Sequence, residues 1–134
     1  MILRRIDEPA IAAAANMARD EALLLAGDTA ALRLYSWAPH SVSLGYFQRH
    51  CDFLDLGPNV PIVRRLTGGG AIFHGVEVTY ALALPASALP TDVEASYACL
   101  HDAVLEALAD IDVAAVRLES GAAPGARPTS RWCF

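Results

Sequence analysis

The chain has 134 residues, 54% apolar and 19% charged, enough for one domain with a sizeable buried core and a poor composition for a disordered chain. Its formal net charge of −5 argues against non-specific nucleic-acid binding, which wants a basic face. All 10 basic residues are arginine, so no mechanism can draw on a lysine of this chain.

In chain order, Asp7-Glu8-Pro9 reads as a helix start, with proline just inside an acidic cap region. Ile11, Ala14, Ala15, Ala18, Ala22 and Leu25 follow at helical spacing, and Gly27 closes the helix where positive φ is cheap. Residues 31–37 have strand character, with Leu32 and Leu34 on one face and Arg33 and Tyr35 on the other, until Pro39 breaks the strand. Residues 41–47 alternate through Val42, Leu44 and Tyr46. Residues 51–56 read as a short helix or turn ended by Gly57-Pro58. A third strand, 60–66, leads into three glycines. Residues 71–74 and 77–84 read as a pair of strands with a tight connection at Gly75-Val76, and Val78, Tyr80, Leu82 and Leu84 share a face.

Thr91-Asp92-Val93-Glu94 reads as a capping box in which threonine and glutamate satisfy free amides reciprocally. The helix it opens should bury Val93, Tyr97, Leu100, Val104, Leu108 and Ile111. Residues 114–118 read as a strand and 120–130 as a loop, before the apolar ending Trp132-Cys133-Phe134. An apolar terminus after a long loop suggests that another element was meant to follow.

No apolar run reaches the ~18–20 residues of a membrane span. The longest, residues 10–25, is cut by Asn16, Arg19, Asp20 and Glu21. The first five residues lack the apolar stretch of a secretory signal, so the chain is placed in the cytoplasm. Cys51, Cys99 and Cys133 are odd in number and widely spaced, which argues against a disulfide framework. His40, His50, His74 and His101 make no metal-binding pair, so no structural metal is expected. Trp37, Tyr35 and Phe47 read as core, and Cys99 as a small buried apolar residue.

The strongest signal for chemistry is Arg64-Arg65-Leu66-Thr67-Gly68-Gly69-Gly70-Ala71. Glycine weakens a strand interior, so three in a row make sense where a ligand must touch the backbone. The amides of Gly68, Gly69 and Gly70 can approach an acyl chain or a phosphate, and one neighbouring arginine can grip a carboxylate or phosphate. The alternative is a glycine-rich hairpin turn with solvated arginines. A Walker loop is excluded for want of a lysine, and a dinucleotide fingerprint because Phe73 stands where its last glycine belongs.

The longer pattern, Arg-Arg-x-Thr-Gly-Gly-Gly-Ala-x-x-His with Glu77-x-Thr79-Tyr80 downstream, resembles the signature of lipoate–protein ligases and the related octanoyltransferases. Residues 16–23, 32–37 and 43–48 resemble the family's first helix and opening strands, in the family's order. The resemblance implies an α+β fold: a mixed sheet packed with helices, as in the biotin/lipoate ligase catalytic domain, here as one domain over 1–134 holding only the family's N-terminal part. It implies that Arg65, Thr67, Gly68, Gly69, Gly70 and His74 line an acyl or acyl-adenylate pocket. Leu44, Gly45 and Tyr46 would form the opposite wall, and Thr79 and Tyr80 would lie beside the acyl chain. A lone strand histidine can equally serve as a hydrogen-bonded structural residue, and for His74 both roles stay open. Cys133 stands where some octanoyltransferases carry an acyl-accepting cysteine, a role suited to a thiolate that attacks and leaves well.

What is implied is transfer of an octanoyl or lipoyl group to a lysine of a lipoyl-domain protein. An octanoyltransferase would take the group from acyl carrier protein without a cofactor; a ligase would need ATP and magnesium. The family's pocket lysine has no counterpart here. Three expectations compete: a truncated product, favoured by the apolar ending; one half of a split enzyme whose second subunit brings the lysine; or a non-catalytic acyl- or partner-binding subunit. A biotin ligase ranks lower, because its glycine motif differs.

Overall fold

A computed structural model describes residues 2–27, 29–117 and 131–132. Two compact units are distinguished, one formed by Met1–Leu84 with Pro128–Phe134, the other by Pro85–Arg127.

The first unit holds strands β1 (Arg4–Asp7), β2 (Ala31–Tyr35), β3 (Ser41–Leu44), β4 (Ile62–Arg64), β5 (Ile72–His74) and β6 (Thr79–Ala83), and helix α1 (Ala13–Leu25). They form two mixed three-stranded sheets, ordered β1-β2-β6 and β4-β3-β5. In each sheet the central strand has one parallel and one antiparallel neighbour. Two small cores result. Val42, Leu44, Phe53 and Ala71 form one, with Leu56, Val60, Ile62 and Trp132 against it. Ala13, Tyr35 and Trp37 form the other, with Met17, Val63 and Ala81.

The expected pairing of residues 71–74 with 77–84 is not formed. β5 pairs with β3, and β6 crosses to the other sheet to pair with β2, Tyr35 opposite Thr79. Between them Glu77 turns back and accepts the Gly75 amide at 2.7 Å. The bend is thus held by a side chain and does not continue a ladder.

Helix α1 starts later than its acidic proline segment suggests. Residues 4–7 are spent on β1, the Glu8 amide donates to Leu34 O at 3.0 Å, and Ile11 bridges to Trp37. The chain stays extended until Ala12 for that reason. The buried positions are Ala13 and Asn16, with Met17, Asp20 and Leu23 half-buried; Ala14, Ala15, Ala18 and Ala22 face solvent. Gly27 does adopt a positive φ of 65°.

The inward polar residues of α1 serve Arg33, which is 1% exposed. Its Nε donates to Glu8. Nη1 donates to Asp20 Oδ1 at 2.6 Å and Asn16 O at 3.2 Å, and Nη2 to Asn16 Oδ1 at 2.6 Å. The guanidinium also lies 3.8 Å from the Tyr35 ring centroid, and Tyr35 Oη donates to Asp20 at 2.7 Å. Hydrogen bonding from Arg19, with Arg33 helping, holds the Glu8 carboxyl below its ordinary value against the effect of burial. Burial, then the Asp20 carboxylate, pushes the Tyr35 phenol well up.

The second unit contains a short 3-10 segment, Ala86–Ala88, and helix α2, Val93–Ala109. The cap is Asp92, whose side chain accepts the Ala95 amide at 2.8 Å; the threonine–glutamate capping box is not formed. No α2 residue is buried in the described chain: Val93, Tyr97 and Val104 of the expected stripe are exposed, as are Ile111 beyond its end and Cys99, while Leu100 and Leu108 are half-buried. Residues 113–117 form no strand; Leu118 and the predicted loop 120–130 lie outside the described residues. No helix of the described residues is long and apolar enough to cross a membrane.

Arg33→Ala should lower the unfolding free energy by about 3–5 kcal/mol, because two carboxylates and an amide lose a buried partner. Urea unfolding measures this. A loss below about 1 kcal/mol would show that those groups find other partners.

Candidate functional site

Strand β3 organises the site because its two faces do different work. Val42 and Leu44 enter the apolar core, while the Ser41 and Ser43 side chains, also fully buried, are polar. In the β3–β5 register Ser41 is opposite His74, which makes Ser43 the diagonal neighbour of His74 on one face. The described residues give the Ser41 hydroxyl no hydrogen-bond partner. Ser43 Oγ lies 2.7 Å from His74 Nε2.

β4 runs parallel to β3 and delivers two arginines to the end of that strand. Arg64 Nη1 donates to the carbonyls of Gly45, Tyr46 and Gln48, holding the turn after β3. Arg65 Nη1 donates to Ser43 O at 2.9 Å and Ser43 Oγ at 2.8 Å; its Nη2 donates to Gly68 O at 3.1 Å and Gly70 O at 2.7 Å. One guanidinium therefore ties the glycine loop to β3. Thr67 closes the loop on the other side, its carbonyl accepting the Tyr46 amide at 2.9 Å.

The loop lies so close to β3 that a Cβ on Gly45 would fall 1.9 Å from Gly69 O. Gly69 has a φ of 92°, the region glycine favours. Gly68 is different, because a Cβ there would meet nothing within 4 Å. In a trans peptide the carbonyl and the following amide point opposite ways. With Gly68 O drawn to Arg65, the Gly69 amide faces away from the guanidinium, and it has no acceptor among the described residues. An amide donor so placed suits a carbonyl or phosphate oxygen.

His74 is buried and stacks on Trp37, centroids 3.7 Å apart and planes 13° apart. Its Nδ1 lies 2.6 Å from Glu77 Oε1. Burial pushes the imidazole below its ordinary value and Arg65 adds to this, outweighing the opposite pull of Glu77. Burial alone would raise the Glu77 carboxyl, but bonds from the Gly75 amide and His74 bring it below its ordinary value. The order Ser43, His74, Glu77 matches the hydrogen-bond order of a nucleophilic triad, yet Ser43 is 0% exposed and its hydroxyl cannot reach a substrate.

The remaining candidates fall in different places. The Leu44 side chain is core, and the residue meets the site through its carbonyl, which accepts the Arg65 amide at 2.8 Å. Tyr46 is half exposed beside Phe47, which at 87% exposed is not core. Thr79 accepts Trp37 Nε1 at 2.7 Å, fixing the ring on which His74 stacks. Tyr80 is exposed on the other sheet, opposite Leu34. Cys133 lies outside the described residues, but its neighbour Trp132 bridges to Ala71 at the end of the glycine loop and packs on Phe53. Arg131 O accepts the Ala71 amide at 2.9 Å and Gln48 Nε2 at 2.7 Å, while its guanidinium binds Asp55. Gln48 Oε1 also accepts the Gly45 amide. Sequence reading missed Ser43, Gln48 and the role of Glu77; the serines alternating with Val42 and Leu44 were the available signal for the first. Among the described residues no cluster of three or more His, Cys, Asp or Glu is placed to hold a metal.

Comparison with known proteins adds a second line. The model of the lipoyl protein ligase A/B catalytic domain matches residues 12–126. Octanoyltransferase LipM of an Exiguobacterium species is 45% identical over 112 residues, covering 76% of this chain and 41% of the relative. Octanoyltransferase LipM of Kyrpidia tusciae is 38% identical over 135 residues, covering 91% of this chain and 49% of the relative. The chain thus spans about half the length of the curated relatives it matches. In fold it is similar to a candidate lipoate protein ligase of T. acidophilum solved with bound lipoic acid, with a TM-score of 0.71, 24% identity, and coverage of 92% of this chain and 55% of that one.

Gly45→Ala should displace the glycine loop and cost about 1–3 kcal/mol, whereas Gly68→Ala should stay within about 0.5 kcal/mol. Unfolding midpoints and amide exchange at residues 67–70 measure the contrast; equal effects would contradict the close approach. The lowered His74 value has a definite sign: the unfolded state takes up the proton near the ordinary 6.5 and the folded state only at lower pH. Its contribution to stability is present above pH 6.5 and is lost as pH falls through the lowered folded value. Glu77 adds a further loss below its ordinary 4.5. The difference in urea midpoint between wild type and His74→Gln should therefore change between pH 7 and 5; a constant difference would mean that His74 titrates normally.

Proposed function

The chain belongs to the lipoyl protein ligase A/B catalytic domain family, and from that membership we propose that it binds and loads an octanoyl group for protein lipoylation. The observation that carries this reading is the anchoring of Trp132 beside Ala71, at the end of a glycine loop tied down by Arg65. Cys133 follows Trp132 in the sequence. In this proposal the Cys133 thiolate attacks the carbonyl of a carrier-bound octanoyl thioester. The C–S bond to the carrier breaks, the carrier leaves as a thiolate that takes up a proton, and the acyl group stays on Cys133. The Gly69 amide would donate to the acyl oxygen as negative charge develops there. Gly68 and Gly70 give the acyl group room against the backbone, with Tyr46 at the rim. His74 and Thr79 support the wall without touching the acyl group.

Acyl carrier protein as donor and a lipoyl-domain lysine as acceptor complete the proposal, in a cytoplasmic setting and with no cofactor in the loading step. The similarity to LipM proteins supports this over the ligase reading, in which ATP and magnesium would be required. The lysine that the family resemblance places in the acyl pocket is not among these 134 residues. Binding and loading are accordingly the steps proposed for these residues. The two compact units are read as parts of one catalytic domain. No observation favours a split, purely binding subunit.

Incubation with octanoyl–acyl carrier protein should add one octanoyl mass, sensitive to hydroxylamine and lost in Cys133→Ser. Titration with a non-hydrolysable octanoyl-adenylate mimic should show binding at least tenfold weaker in Arg65→Ala, a change of about 1.4 kcal/mol. An adduct surviving Cys133→Ser would remove that cysteine from the mechanism. A folded chain showing neither adduct nor binding would overturn the assignment.

A further inference from the structure

The hydrogen bonds around His74 have fixed directions, and they run towards the glycine loop. Glu77 as a carboxylate can only accept. It takes the Gly75 amide on Oε2 and faces His74 Nδ1 with Oε1, so Nδ1 must carry a proton. In a neutral ring Nε2 is then an acceptor. Ser43 Oγ, 2.7 Å away, must give it the hydroxyl proton and is left with lone pairs only. One of these receives Arg65 Nη1 at 2.8 Å. The other nitrogen of the same guanidinium holds Gly68 O and Gly70 O. Trp37, pinned by Thr79, closes one face of the imidazole and leaves the ring little freedom to turn.

We propose that Glu77 and Ser43 are positioning residues of the acyl site. Glu77 fixes the Nδ1–H tautomer of His74, this fixes the Ser43 hydroxyl as donor to the ring and acceptor from Arg65, and the guanidinium then holds the loop carbonyls so that the Gly69 amide is presented outward. In this proposal the side chains of Glu77, His74 and Ser43 do not touch substrate; the effect reaches the acyl group through Arg65 and the backbone. The inference rests on the acyl-site reading above for its consequence, but the relay itself can be tested without any acyl ligand.

The test uses the whole chain, labelled with nitrogen-15, in wild-type, Glu77→Gln and Ser43→Ala forms, each confirmed as folded by its thermal transition. Side-chain correlation spectra of His74 at pH 7.5 should show Nδ1 protonated and Nε2 bare in the wild type. Glu77→Gln, which cannot accept both protons as a carboxylate does, should move the ring toward the other tautomer. It should also shift the amide resonances of Gly68, Gly69 and Gly70. Both variants should bind the octanoyl-adenylate mimic about tenfold more weakly, the scale of one charge-assisted hydrogen bond. A wild-type ring protonated on Nε2, or loop amides unmoved in Glu77→Gln, would overturn the relay. Mimic binding at wild-type strength in both folded variants would overturn its role in positioning while leaving the acyl site standing. Absence of mimic binding to the wild type, with tautomer and loop shifts as expected, would count against the acyl reading and for the relay.

Discussion

The grip of a single guanidinium on a stretch of backbone underlies this molecule. Arg65 donates to two loop carbonyls and to the carbonyl and hydroxyl of one buried serine. A glycine-rich segment left to itself has more conformational freedom to lose than any other sequence. Tying two of its carbonyls to a strand selects one conformation and settles which way the intervening amides face. The approach of Gly69 to β3 is possible because Gly45 has no side chain. Two glycines thus answer separate demands, Gly45 a close contact between backbones and Gly69 a positive φ, while Gly68 borders open space.

Arg33 applies the same solution elsewhere, with charges in place of carbonyls. Its two carboxylate partners and Asn16 join α1, β2 and the Glu8 segment into one polar knot inside the first unit. Trp37 links this region to the site, since it belongs to the core cluster of α1 and also carries the His74 ring on its face. Ring contacts thus run from the knot to the imidazole, Tyr35 tilted against Trp37 and Trp37 stacked on His74. Among the described residues the Ser41 hydroxyl, opposite His74 in the register, has no hydrogen-bond partner to offset its burial.

Much of this was legible in the residues. Strands β2, β3 and β4, the turn at Gly57 and the helix end before Gly27 follow from alternation and from glycine's access to positive φ, whereas β1 was not read. The glycine loop stood out because glycine weakens a strand interior, so three between strands call for a turn or a close approach to the backbone. Other features could not be read, for definable reasons. Periodicity counts apolar residues, so an inward face built from Asn16 and Asp20 reads as outward, and the face that α1 buries lies two positions along from the one expected. Local pattern could not tell that β6 pairs with β2, some 45 residues back, and not with its neighbour β5. The stripe on α2 is apolar by sequence, yet Val93, Tyr97 and Val104 are exposed in the described chain. Adjacent arginines announce positive charge; only coordinates show that Arg64 donates to carbonyls and Arg65 to carbonyls and the Ser43 hydroxyl.

The anchoring of residues 131–132 has a consequence for time as well as for geometry. Gln48 meets the Arg131 carbonyl across 83 positions of chain, and Asp55 meets its guanidinium across 76. Closing so long a loop costs only slightly more entropy than closing a shorter one, about 0.6 kcal/mol per doubling, but such contacts form after the local ones that make them worthwhile. The second unit, Pro85–Arg127, lies within that span of sequence. The glycine loop should accordingly be among the last parts of the protein to settle, its strands in place before the clasp closes. An early-folding molecule would hold the sheets of the finished protein while the glycine loop was still open on one side.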